Sequence, residues 1–507
     1  MPPTLERAAQ RVQAVVPLMR TKSIVMNGPA GNRAAVIVTL FLSAGTALFF
    51  LTLWLAYDPS ANLTVNLPGT DGRPAVLETS EELVDLRGVL QQFDGVPADL
   101  PGAWTRFRGP NFDNIYENGA RLADSWGEGG PEVLWSVDLG EGHAAPVVLN
   151  GRVYLIDYDE TARSDAVRCL SLADGKEIWR RSYNVRIKRN HGMSRTVPAV
   201  TDKYVVTMGP RCHVVCLDSV TGEFRWGIDL QKEYGTKEPL WYAGQCPLID
   251  GDEVILAPGG SETLMMAVDC ETGSVVWKTP NLKGWNMSHS SIIPMTIAGT
   301  RMYVYCSLGA AVGVAAEGER TGELLWESPW NAFVIAPSPV DLGDGRIFMT
   351  AGYGKGNVML RVEKREGAFV AEELSRKLPT EGLACEMQTP IYYDGRLYGI
   401  MPKDAGTLRE QFVCYDIDGT LVWSSGKDKR FGLGPFVLAD GKFYALSDDG
   451  ILRLVRASRS EYLQLDEARV LDGQDAWGPI AIADDRMLLR DSKKMLCIAV
   501  GAAKRGA

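Results

Sequence analysis

From about residue 131 onward the apolar positions fall in short β-prone stretches separated by Gly or Asp turns, and the layout repeats. Residues 145–155 set the pattern: a small-residue or Pro-containing strand, a turn at Asn150-Gly151, and an aromatic strand through Tyr154. The same layout returns at 198–206, 247–256, 294–305, 339–349, 390–400, 435–446 and 479–489, which makes eight units. Each unit then reaches a hairpin typified by Asp218-Ser219-Val220-Thr221-Gly222-Glu223-Phe224-Arg225-Trp226. There Thr221-Gly222 supplies a φ > 0 turn, and Asp218 can accept bonds from the turn amides. Copies occur at 269–277 and, in part, at 321–326, with variants at 170–179 and 415–423.

The hairpin tryptophans, at 135, 179, 226, 277, 326 and 423, lie 44, 47, 51, 49 and 97 residues apart, the last interval being two units. The skipped unit is expected to carry Phe369 in place of Trp. Units of this length with four short strands predict propeller blades. The eighth unit runs out after three strands near 496–500, while 133–139 is an orphan strand at the start. Pairing these two would complete the last blade and close the ring.

Two stretches break the pattern. Residues 34–57 are an uncharged apolar run of 24, long enough to span a bilayer as a helix. Arg7, Arg11, Arg20, Lys22 and Arg33 precede it, while Asp58, Asp71, Glu78, Glu81 and Glu82 follow, so the positive-inside bias places the N-terminus in the cytoplasm and the rest outside. A cleaved signal peptide fits less well, because the run is long, begins far in and lacks a small-residue cleavage site. Between 58 and 130, a Pro-, Gly- and Asp-rich linker holds one predicted helix, with a Thr79/Glu82 capping box and Leu83, Leu86, Leu90 and Phe93 on one face. The expected organisation is a cytoplasmic segment 1–33, a transmembrane helix 34–57, a linker 58–130, an all-β eight-bladed propeller with four-stranded blades over 131–501, and a tail 502–507.

The string Asp-x-x-Thr-Gly-x-x-x-Trp, complete at 218–226 and 269–277, resembles the blade signature of the quinoprotein-like (PQQ-like) eight-bladed propellers. That family holds quinone-dependent alcohol dehydrogenases, an outer-membrane assembly factor, and non-catalytic membrane-tethered members. The Phe107-Arg108-Gly109-Pro110-Asn111 lead-in is similar to that of the last group. The resemblance implies that Trp135, Trp179, Trp226, Trp277, Trp326 and Trp423 dock neighbouring blades. It also implies that a dehydrogenase would need a quinone cofactor, a calcium, a carboxylate base and an adjacent Cys-Cys pair, which this sequence lacks.

Charge and cysteine content narrow the picture further. A net charge of −10 argues against a nucleic-acid partner. The nine cysteines resemble a disulfide or metal set, but Cys169, Cys216, Cys414 and Cys497 occupy one small-residue slot per unit, filled by Ala267 in the third. Cys212 and Cys216, four apart on a strand, lie beyond disulfide reach. No metal site and no catalytic residue is expected.

Loops leading into the innermost strands carry His143, His191, Arg195, Trp241, Trp285, His289, Trp330, Glu386, Arg430 and Trp477. Aromatic groups interleaved with polar and basic ones suit a ligand or a partner at the channel mouth. The sequence therefore predicts a single-pass cell-membrane protein with an extracytoplasmic propeller, periplasmic in a bacterium, that binds a protein, peptide or glycan without a cofactor. The alternatives are a quinoprotein oxidoreductase using PQQ and calcium on an alcohol or sugar, and an envelope-assembly scaffold.

Overall fold

A computed structural model describes residues 30–56, 84–117 and 121–502. The basic residues before the apolar run and the Thr79/Glu82 capping box lie outside the described residues. The chain divides into two units, 1–82 and 83–507. In the first, Ala30–Ala56 is one α-helix whose span Ile37–Leu55 is long and apolar enough to cross a membrane. The hydroxyls of Ser43, Thr46 and Thr52 donate to carbonyls three or four residues back, at 3.0, 2.8 and 2.7 Å, so these polar groups are satisfied within the helix.

The second unit is built of eight sheets, six with four strands and two with five. Blades 1 to 7 follow chain order. Blade 8 is completed as expected: Val133–Asp138 pairs antiparallel with Lys494–Ala499, Trp135 opposite Cys497. The turn chemistry is also as expected, with Asp218 Oδ1 accepting from the amides of Val220 and Thr221 at 3.0 and 2.9 Å, and Asp269 Oδ1 from Thr272 at 2.8 Å.

Register explains the cysteine slot. Trp135, Trp179, Trp226, Trp277, Trp326 and Trp423 stand directly across from Cys497, Cys169, Cys216, Ala267, Gly313 and Cys414. A small side chain leaves room for the indole beside it; at Gly313 an added Cβ would meet Trp326 Nε1 at 2.0 Å. Four of the indoles also lie on the turn glycine of the next blade. A Cβ on Gly175, Gly222, Gly273 or Gly322 would come within 2.6, 2.7, 2.7 or 3.0 Å of Trp135, Trp179, Trp226 or Trp277 respectively. Trp226 Nε1 donates to Cys270 O at 2.8 Å and Trp423 Nε1 to Ser458 O at 2.9 Å. All nine cysteines are buried, and none forms a disulfide.

Two expectations are corrected here. Phe369 does not replace the missing tryptophan: it pairs with Lys364 near the tip of the long hairpin Gly356–Arg365/Ala368–Lys377, and register puts Ser375 across from the slot residue Met359. The slot is large where no Trp fills its partner position, as with Leu454 opposite Asp466 in blade 7. The predicted helix around Leu86 and Leu90 is, over its described part, extended. Val89–Gln92 adds a fifth strand to blade 1, with Val89 across from Ser182, and Leu86 and Leu90 pack on blades 1 and 2. Pairing the open edge and burying those leucines outweighs the few tenths of a kcal/mol per residue of helix propensity.

The lead-in, expected only to introduce the repeat, instead crosses the central channel along the innermost strands. Trp104 bridges Val148 of blade 1, the Thr105 carbonyl accepts from Val200 of blade 2 at 2.9 Å, and Arg106 donates to Ile249 O of blade 3 at 3.3 Å. Arg108 donates to Pro390 O of blade 6 at 3.2 Å, and Ile115–Tyr116 runs parallel to blade 7 at Leu438–Ala439. Further on, the Trp126 ring sits 6.3 Å from Tyr444 at 45°, close to the Trp179–Tyr154 pair (6.1 Å, 53°) and the Trp423–Tyr398 pair (5.9 Å, 49°). The backbone N–H of Trp126 donates to Asp466 at 2.7 Å. Blade 7 has no signature tryptophan, and the lead-in supplies one.

Candidate functional site

The connections between blades, together with the loops after the second strands of blades 5 and 6, converge at one end of the channel around a cavity of about 240 Å³. Phe107 of the lead-in lines it as well, so the opening is a cup whose inner end abuts the segment that crosses the channel. His143, His191, Arg195, Trp241 and His289 line one part of the wall; Tyr353, Glu386, Gln388, Lys403 and Trp477 line the rest.

Arg195 is fastened along one edge. Its Nε donates to Trp241 O at 2.5 Å, and its Nη2 to Asn190 O and His191 O at 3.0 and 2.7 Å. Burial lowers its pKa to about 10, and among the described residues no carboxylate lies within ion-pair distance of it. The same burial, with Arg195 nearby, holds His143 down to about 3 and His289 to about 4, so both rings are neutral at physiological pH. His143 Nε2 lies 3.1 Å from His191 O, and its ring packs against Trp477 at 4.8 Å, tilted by 32°. Burial raises the Glu386 carboxyl above its usual range, with Asp404 and Glu410 adding to the rise and Lys403 and the Tyr353 hydroxyl opposing it. Gln388 Nε2 donates to Trp477 O at 2.9 Å and ties two walls together.

The rim is aromatic. Trp241 stacks on Tyr353 at 6.0 Å, and Phe333, 66% exposed, stands edge-on to both at 6.3 and 5.6 Å. His191, Trp241 and Tyr353 all have positive φ, at 53°, 65° and 56°, as do the neighbouring Tyr242 and Asp475 at 75° and 59°. Bulky residues rarely adopt this conformation, which costs roughly 1–2 kcal/mol at each position.

Seven of the ten residues expected at the mouth line the cup. The other three do not. Trp330 is fully buried, with Lys355 and Arg376 over its ring at 4.9 and 5.6 Å. Trp285 packs on Gly309, where an added Cβ would meet it at 2.2 Å. Arg430 is not part of the lining and pairs with Glu410 at 3.3 Å. The sequence reading overlooked Phe107, Tyr353 and Lys403; Tyr353 lies in a Gly-Tyr-Gly turn, a conspicuous place for a large side chain.

The sequence family described as outer membrane protein assembly factor BamB matches over residues 163–377 and 260–411. Those matches span four of the six Trp and small-residue pairs, the ones in blades 1 to 4. The chain belongs to the PQQ-like propeller family. Among solved structures, this propeller is similar to a quinohemoprotein alcohol dehydrogenase, ADHIIG from Pseudomonas putida HK5, at 14% identity and TM-score 0.54, over 80% of this chain and 81% of that one. It is also similar to a europium-containing methanol dehydrogenase at 12% identity and TM-score 0.55, over 79% and 99%. BamB from Moraxella catarrhalis matches at 14% identity and TM-score 0.49, over 73% and 99%. No curated protein matches the sequence. At these identities the likeness concerns the fold alone.

The cup's donor set does not fit a calcium-bound quinone. Glu386 is the one carboxylate in the lining, Cys246 the one cysteine, and among the described residues no three His, Cys, Asp or Glu groups converge as metal ligands. Calcium takes six or more oxygens, usually from several carboxylates.

Proposed function

We propose that this protein is a single-pass, membrane-anchored, extracytoplasmic propeller that binds a protein, peptide or glycan partner at the mouth cup and performs no chemistry on it. The observation that carries this reading is the aromatic rim of Trp241, Phe333 and Tyr353 around a polar cup, with two of the three rings held in costly backbone conformations. The basic flank before the apolar helix and the acidic flank after it support the topology. The family match to an assembly factor favours a scaffold among binding roles, and the donor set argues against the quinoprotein alternative.

The test uses the full chain with a photo-cross-linking residue at Phe333 on the rim and, as a control, at Val276 on the outer strand of blade 3. Adducts specific to the rim position are expected; equal adducts from both would remove the mouth as the binding surface. Adding pyrroloquinoline quinone with calcium should neither quench tryptophan fluorescence nor support dye-linked alcohol oxidation. Saturable quenching with turnover would establish the oxidoreductase instead.

A further inference from the structure

Resting on the reading above, we infer that the cup is a carboxylate site: its occupant carries a carboxylate beside an aromatic ring, with the carboxylate on Arg195 and the ring against the Trp241–Tyr353–Phe333 rim. Arg195 is the first argument. Three carbonyls hold its Nε and Nη2, while among the described residues Nη1 makes no hydrogen bond and the guanidinium has no ion-pair partner. A cation withdrawn from bulk water without a counter-charge is costly, and a ligand anion offsets that cost with charge-assisted hydrogen bonds.

His143 and His289 are neutral and each spends its single N–H on a backbone carbonyl, His191 O and Leu240 O, so the charge recognition falls to Arg195. Glu386, the only carboxylate in the lining, faces Lys403 and the Tyr353 hydroxyl, which moderate its repulsion of a second carboxylate. Geometry limits the occupant further. The lead-in crosses the channel behind Phe107, so a polymer cannot thread through, and a space of about 240 Å³ suits one ring with a short acidic arm. Either a free aromatic carboxylate or the C-terminus of a chain ending in an aromatic residue meets these conditions.

Titrating the full chain in detergent with 3-phenylpropionate, its amide, and a short peptide ending in Phe with a free carboxylate separates the cases, read by fluorescence of Trp241 and Trp477. At least one acid should quench saturably, with the amide weaker by roughly tenfold or more. Preference for the peptide identifies a chain end as the source, whereas preference for phenylpropionate identifies a small molecule and replaces the macromolecular partner proposed above. Arg195→Ala should abolish the preference for acid over amide. Glu386→Gln, which keeps the shape of the side chain and removes its charge, should tighten acid binding, and it serves even where Arg195→Ala fails to fold. An amide that binds as well as the acid, no binding by either acid, or acid binding unchanged or weaker in Glu386→Gln would overturn the inference. If both acids fail while rim-specific cross-links at position 333 persist, partner binding stands and the carboxylate assignment falls.

Discussion

The outer hairpins and the mouth loops handle the same backbone problem in opposite ways. Both need residues at positive φ. In the outer hairpins of blades 1 to 4 those positions belong to glycine, at Gly175, Gly222, Gly273 and Gly322, and the preceding blade's indole packs where a Cβ would be. At the mouth they belong to His191, Trp241, Tyr242, Tyr353 and Asp475. In those four hairpins the strain is relieved, and at the mouth it is not. Side chains kept at an energetic cost are kept for what they touch, and at the mouth they touch the cup.

If this division holds, removing a hairpin indole should cost far more than removing a rim indole. Trp226 is 6% exposed and hydrogen-bonded across to blade 3 at 2.8 Å. Trp226→Ala should lower the unfolding free energy by about 3–5 kcal/mol, whereas Trp241→Gly, which removes a half-buried ring together with its positive-φ strain, should cost about 1 kcal/mol or less. Denaturant melts of the two variants measure this directly, and comparable losses would erase the distinction.

Titration gives an intermediate effect that also separates the two regions. The mouth histidines His143 and His289 are held below 6.5, so the folded state binds fewer protons than the unfolded one, and their contribution is lost as pH falls from 6.5 toward 4. Asp165, buried in blade 1 and hydrogen-bonded by Tyr183 at 2.7 Å, is pushed up to about 7 by burial. Between 3.8 and 7 the folded state therefore holds an extra proton there, and stability falls as pH rises. The two trends oppose each other and flatten the native curve. Asp165→Asn should unmask the histidines, giving a melting temperature that climbs more steeply from pH 4 to 6.5, by an amount equivalent to about 2–4 kcal/mol. A curve of unchanged slope would mean that Asp165 is not held protonated in the fold.

What could be read from the sequence follows the same line. Blade number, closure, Asx turns and the cysteine slot were readable because each is written several times, and Cys169, Cys216, Cys414 and Cys497 recur in one register. The lead-in is written once. Nothing in Trp104 to Tyr116 predicts that successive residues meet different blades, or that Trp126 would stand in for the tryptophan missing from blade 7. Leu86 and Leu90 fit a helix face and a paired edge equally well, and only the open edge of blade 1 decides between them. At the mouth, sequence places a residue in the right loop but not its direction. Trp330 ends the strand Leu324–Trp330 and turns into the core, while Tyr353, two residues past a strand end, faces the cup.

The smallest effect is the most direct test of strain. Tyr353 (φ 56°) and Gly354 (φ 76°) are adjacent in one loop; Tyr353 is 44% exposed, and a Cβ on Gly354 would meet nothing within 4 Å. Gly354→Ala therefore adds backbone strain with no clash and should destabilise by about 1 kcal/mol. Tyr353→Gly removes the same kind of strain but also loses ring contacts with Trp241 and Phe333, which are worth about 0.5–1.5 kcal/mol when fully packed and less at this exposure. It should leave stability unchanged or raise it by up to about 1 kcal/mol, while weakening quenching by the acid probes. If Tyr353→Gly instead destabilises as much as Gly354→Ala, the ring is there to hold the loop together, and the mouth resembles the hairpins after all.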